Sequence, residues 1–149
     1  MRKIGTPALV VGARRQRKAP LPTPPKRRLL CCNDDGLRRC LGGALDVVST
    51  EWECFTVEDP NHLGIAALSV APDVILLNAY APGLNGFEAC RRLRLMPRLR
   101  HTAIVLVIRE SDEVFRTLIA GTGCSLLIAT PIGGRRLVRE LEAAKETAA

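Results

Sequence analysis

The sequence predicts an α/β fold, a doubly wound parallel sheet of five strands with helices on both faces. Three observations predict it. Short apolar runs alternate strictly with helical patterns, five of each, which implies parallel strands joined by crossover helices. Two runs, DVILL at 73–77 and AIVLVI at 103–108, are apolar without interruption, as strands buried on both faces must be. The stretch PDVILLNAYAPGLNGFE at 72–88 reads as a strand, a turn built on Pro82, Gly83, Asn85 and Gly86, and the start of a helix. In such sheets the residue ending a strand lies at the ligand crevice. Here that residue is Asn78, a neutral amide and a poor nucleophile.

The elements follow in order. RLLCC (28–32) is a short apolar strand. LRRCLGGAL (37–45) carries Leu37, Cys40, Leu41, Ala44 and Leu45 at helical spacing. WECFTV (52–57) is rich in aromatic and β-branched residues and alternates as a strand. NHLGIAALSV (61–70) is a helix capped by Asp59 or Asn61 beside Pro60. After the strand at 73–77, GFEACRRLRLM (86–96) forms the third helix. DEVFRTLIAG (112–121) follows the strand at 103–108, with acids at its positive end and Gly121 as its stop. CSLLIA (124–129) is the fifth strand and GGRRLVRELEAAKE (133–146) the last helix. The flavodoxin-like strand order 2-1-3-4-5 suits this count.

Charge divides the chain. Residues 1–28 hold nine of the 22 basic residues and no acid, whereas the remainder has 13 basic against 15 acidic residues. With Pro20, Pro22, Pro24 and Pro25 this start cannot be helical, and residues 1–27 are expected to be a disordered basic arm. The domain is expected over 28–146, with 147–149 as a tail and no DNA-binding or enzymatic domain expected after the last helix. The chain shows neither an apolar run of about 18 residues nor the apolar core of a secretory signal, so a cytoplasmic protein is expected. Six cysteines lack a C-x-x-C pair, and the two histidines, His62 and His101, are far apart. Core thiols in a reducing compartment are expected, with no metal. Arg91, Arg92, Arg94, Arg98 and Arg100 form a second basic cluster, read as a solvated face.

From Arg28 to Glu146 the chain resembles the response regulator receiver domain of two-component signalling. The most specific part is PDVILLNAYAPGLNGFEACRRLR, which resembles an apolar strand ending in the phosphoacceptor aspartate, followed by a Pro-x-x-Asp/Asn-Gly turn. LIATPIGGRRLVREL resembles the segment of the receiver lysine, the proline after it and the last helix. RLRHTAIVLVIRE resembles the strand with the hydroxyl residue. A receiver phosphorylates an aspartate with the help of Mg²⁺ held by paired acids. A lysine and a Ser/Thr hydroxyl bind the phosphoryl group, and an aromatic switches behind the hydroxyl.

The resemblance implies that this machinery has degenerated. The phosphoacceptor position is Asn78, the hydroxyl position Ile108, the switch aromatic Leu127 and the lysine Thr130, just before Pro131. The acid pair falls on Asn33 and Asp34 by strand alignment, or on Cys32 and Asn33 by the register of the next helix. Asp34 and Asp35 remain nearby as residual acids. A cis bond is expected at Thr130–Pro131, with Thr130 near Asn78. The reading is a pseudo-receiver: a non-enzymatic, cofactor-free, phosphorylation-independent interaction module of bacterial signal transduction. Its partner would be a kinase, another signalling protein or a second copy. The receiver surface of the fourth helix, fifth strand and fifth helix would include Glu113, Phe115, Arg116, Arg135, Arg136 and Arg139. Two alternatives are a nucleic-acid or anionic-surface adaptor using the basic arm, and a receiver retaining metal or small-molecule binding at Asp34 and Asp35.

Overall fold

The computed structural model describes residues 27–32, 35–79, 86–109 and 122–148. Most of the expected basic arm, the Asn33–Asp34 pair, the turn at 80–85 and the helix expected over 112–121 lie outside the described residues. The described elements are β1 (Arg27–Cys32), α1 (Asp35–Leu41), α2 (Ala44–Glu51), β2 (Trp52–Val57), α3 (Leu63–Val70), β3 (Val74–Asn78), α4 (Gly86–Arg94), β4 (Ala103–Arg109), β5 (Leu126–Thr130) and α5 (Gly134–Ala148). Short 3₁₀ turns at Pro60–His62 and Pro97–Leu99 precede α3 and follow α4.

The strands pair in the order β2-β1-β3-β4-β5, all parallel, which is the expected 2-1-3-4-5 sheet. Alternation along the central strands sends side chains to two separate cores. Leu29, Val74, Leu76, Val105 and Val107 pack under α1, α2 and α5. Leu30, Ile75, Leu77, Ile104 and Leu106 pack under α3 and α4. Every residue of β3, and every residue of β4 but its last, is buried.

Local differences from the sequence reading have identifiable causes. The helix expected over 37–45 is two helices, and the second runs on to Glu51. The break is at Gly42, whose φ of 51° lies in the left-handed region that suits a helix stop. Its N–H donates to the Arg38 carbonyl at 2.8 Å, and the Gly43 carbonyl accepts the first bond of the next helix. β5 starts at Leu126, two residues later than expected. Cys124 N–H turns to the Thr122 hydroxyl (3.2 Å) before Ser125 N–H joins β4 at Ile104 (2.7 Å). The last helix extends to Ala148.

Arg94 corrects the reading of the basic cluster as one solvated face. Its guanidinium turns inward at the end of α4. Nε donates to the Gly123 carbonyl at 2.8 Å, and Nη1 to Leu99 (2.8 Å) and Thr102 (2.6 Å). Nη2 donates to Ser125 Oγ at 3.1 Å, and that oxygen also accepts the N–H of Ile104. One side chain therefore ties the end of α4 to the segments that enter β4 and β5. Charge-assisted bonds to backbone carbonyls are the stronger kind.

The described cysteines are all free thiols. Cys31, Cys32 and Cys90 are buried, Cys40 and Cys124 are half-buried, and Cys54 is exposed. Burial pushes the Cys90 thiol up from 9.0 to about 12, reinforced by Cys124 and opposed by Arg94 and Arg91. Burial also raises the Cys124 thiol.

Two predictions follow from the packing. Arg94→Ala should lower the unfolding free energy by about 2–4 kcal/mol in urea titrations, and Arg94→Lys should recover less than half of it, because an ammonium cannot span the same acceptors. The raised Cys90 pKa gives stability that is complete below pH 9 and is lost as pH climbs from 9 towards 12. In peptide mapping after iodoacetamide at pH 8.5, Cys54 should be alkylated in the native protein and Cys90 only in denaturant.

Candidate functional site

The sequence-predicted site lies at the C-terminal edge of the sheet, where a doubly wound fold binds its ligands. Asn78 closes β3, Arg109 closes β4 and Thr130 closes β5. Register sets Asn78 opposite Val107, and Arg109 opposite Thr130. By strand alternation, Asn78, Arg109 and Thr130 share the sheet face of Leu76, Val105 and Ile128, which is the face covered by α1, α2 and α5. Ile108 and Leu127 belong to the opposite face, within or against the second core.

Asn78 is only 2% exposed, and Thr130 is buried too. A charged carboxylate at position 78 would need a cation or a metal to offset its desolvation, whereas an amide satisfies itself with neutral partners. The Thr130 hydroxyl donates to the Ile108 carbonyl at 3.3 Å, so it caps the strand beside it. The Ile108 side chain is fully buried and carries no polar atom. The Thr130–Pro131 peptide is cis and turns the chain out of β5.

Receiver chemistry uses Mg²⁺. A hard divalent cation takes several oxygen ligands, carboxylates foremost. Asn78 offers one neutral amide oxygen. Asp35 begins α1, is exposed, and gives its carboxylate to Arg38 at 2.7 Å. Among the described residues there is no group of three His, Cys, Asp or Glu able to hold a metal. The described residues do not fit a Mg²⁺ site. Asn33 and Asp34 lie outside them.

Sequence reading missed Arg109. It was legible in the strand period, since Arg109 falls two residues after Val107 and so on the Asn78 face. It brings a permanent positive charge to the edge that Asn78 and Thr130 also close. Of the expected partner face, Arg135 forms an ion pair with Glu51 of α2. Arg136 and Arg139 are exposed on α5. Glu113, Phe115 and Arg116 lie outside the described residues.

Gly86 explains the glycine of the turn. It opens α4 directly against the end of β3, with its N–H on the Ala79 carbonyl at 3.3 Å. A Cβ there would come within 2.7 Å of both the Ala79 Cα and the Asn78 carbonyl oxygen. Those are backbone atoms, so no side chain can yield. Gly86→Ala should cost about 1–3 kcal/mol in chemical denaturation and shift the NMR resonances of Asn78 and Ala79. Unchanged stability and spectra would refute the close approach.

No protein-family model matches the chain. Among curated proteins it is similar to the response regulator PleD of Caulobacter vibrioides, 34% identical over 76 residues, which are 51% of this chain and 16% of PleD. It is also similar to the transcriptional regulatory protein AfsQ1 of Streptomyces coelicolor, 32% identical over 72 residues, 48% of this chain and 31% of AfsQ1. The chain thus spans about a sixth to a third of the length of these relatives. Among solved structures, the receiver domain of the sensor histidine kinase PA1611 of Pseudomonas aeruginosa superposes with a TM-score of 0.70 at 19% identity, covering 82% of this chain and 99% of that one. That domain holds a magnesium ion in its active-site cleft. The chain is thus similar in sequence to proteins named as response regulators and similar in fold to a receiver domain.

Proposed function

We propose that this domain is a phosphorylation-independent receiver, a pseudo-receiver that acts in bacterial signal transduction by binding other proteins and catalyses no reaction. The observation that carries the reading is Asn78. It is buried at the end of β3, where the family resemblance expects the phosphoacceptor carboxylate. An amide has no carboxylate oxygen to attack a phosphoryl donor. The surrounding chemistry agrees. Ile108 cannot hydrogen-bond a phosphoryl oxygen, Leu127 is too small to act as an aromatic switch, and the Thr130 hydroxyl is engaged by backbone. The polar demands of a phosphorylation site have been replaced by groups that rest neutral without a ligand.

The partners proposed are a kinase, another signalling protein or a second copy of the chain, met in the reducing cytoplasm that suits free thiols. No described helix is long and apolar enough to cross a membrane. The nucleic-acid alternative depends on the basic arm, of which residues 1–26 lie outside the described residues. The metal-retaining alternative is weakened by Asp35, whose carboxylate is paired with Arg38.

Incubation with acetyl phosphate and Mg²⁺ should leave the intact mass unchanged. Asn78→Asp alone should not yield a stable acyl phosphate, because Ile108 and Thr130 still give the phosphoryl group no hydroxyl or lysine. A phosphoryl adduct on the unmodified chain that maps to residues 72–88 would overturn the proposal.

A further inference from the structure

α3 is apolar on all sides. Ser69 is the one polar residue in LGIAALSV, and a helix of that kind normally lies inside a protein. Here only one side is covered. Leu63 and Ala67 are buried against the sheet, while Ile65 is 68% and Leu68 36% exposed. Across the seam, Leu95 at the end of α4 is 82% exposed, and its neighbour Met96 packs against Gly64. These three are the exposed large hydrophobic residues among those described.

Two shallow grooves run in succession along this seam. The first, of about 160 Å³, lies between Leu63–Gly64 of α3 and Arg92, Leu93 and Met96. The second, of about 230 Å³, lies between Leu68 and Ala71 at the other end of α3 and Arg98 and Leu99. Each groove has an apolar floor and a polar rim, Asn61 and Arg92 in the first, Arg98 and Thr102 in the second. The only acid on α4 and the turn after it is Glu88, which Arg91 and Arg92 already share at 3.4 and 3.7 Å. Arg98 makes no ion pair among the described residues, and Arg100 lies exposed beside it.

We infer that this α3–α4 face docks an acidic amphipathic helix of a partner protein. Its apolar side chains would enter the two grooves and its carboxylates would meet Arg92, Arg98 and Arg100. Helix-in-groove recognition uses apolar anchors at i, i+4 and i+7, and charge complementarity sets orientation and rejects wrong partners. A two-fold second copy would bring these arginines against their own equivalents, and the chain's basic N-terminal stretch carries the same sign. Nucleic acid would satisfy the arginines but leave the apolar grooves unfilled. The inference rests on the interaction-module reading for its role, but it uses a face away from the Asn78 edge.

The test uses the full chain, ¹⁵N-labelled, and a blocked synthetic peptide of about 16 residues, long enough for partial helicity. The peptide carries Leu at i, i+4 and i+7 and Glu on both flanks. Amide shifts should concentrate at residues 63–71 and 89–102. Affinity should fall about tenfold or more for Leu68→Glu and for Arg98→Glu, both surface changes that leave the circular dichroism intact. It should also fall for a peptide with Asn in place of Leu, which keeps the charge and removes the anchors. Absence of binding, shifts elsewhere, indifference to either variant, displacement by duplex DNA, or concentration-dependent self-association through this face would each overturn the docking assignment. The acetyl phosphate experiment is read separately. A chain that stays unmodified and ignores the peptide loses this surface alone, and a chain that becomes phosphorylated loses the pseudo-receiver reading alone.

Discussion

β3 and the first six residues of β4 expose almost nothing. They lie between two helical layers, and alternate side chains enter separate cores on the two faces. A strand in that position cannot vary its polarity freely, because any side chain it carries is taken out of water and any charge must find a partner. The continuous apolar runs at 73–77 and 103–108 are the direct expression of this constraint. So are the neutral side chains of Asn78 and Thr130 at the C-terminal edge. At Asn78 the chain leaves the buried strand with a group that can be satisfied without an ion. At Thr130 the hydroxyl is absorbed by the adjacent carbonyl of Ile108. The same burial that stabilises the sheet therefore decides which chemistry its edge can support.

The two ends of the sheet are held differently. At the N-terminal edge the ties are ionic and directional. Arg28 N–H binds the Asp73 carboxylate at 2.9 Å, Arg27 pairs with Glu142 of α5 at 2.6 Å, and Arg94 gathers the carbonyls that precede β4 and β5. At the C-terminal edge the described contacts are neutral, the close approach of Gly86 to the end of β3 and the bond from the Thr130 hydroxyl to the Ile108 carbonyl. Exposed pairs such as Arg27–Glu142 contribute little each. Arg94 differs because its partners are several backbone carbonyls with few other donors. A charge that looks like surface decoration in the sequence is a structural clasp.

Most of the architecture was legible because period and burial agree along this chain. The apolar runs, the Gly-rich turn before α4 and the alternation of elements each point to one parallel sheet. The boundaries were less legible where local hydrogen bonds compete with the pattern. Gly42 and Gly43 stand in the middle of an otherwise regular helical pattern, and only the positive φ of Gly42 reveals that the pair ends one helix and starts another. Cys124 looks like the first residue of an apolar strand, but its N–H is taken by Thr122. At the edge, the positions of Asn78, Ile108 and Thr130 could be read from a resemblance, whereas Arg109 followed only from strand period. The inward turn of Arg94 and the pairing of Arg135 with Glu51 depend on contacts distant in sequence, and no local signal announces them.

Trp52 is the chain's sole tryptophan and begins β2, so it lies at the sheet end opposite Asn78. It is almost fully buried, its indole N–H has no partner among the described residues, and the Arg27 guanidinium sits 6.0 Å from its ring. Intrinsic fluorescence of this protein is consequently a local gauge of the α2–α5 seam and the rim beneath it. It should respond to loosening of that rim, and a ligand arriving at the far edge should leave it dark to the event. The optical signal and the candidate site are insulated from each other by the length of the strands, so probes of the Asn78 edge must be introduced there.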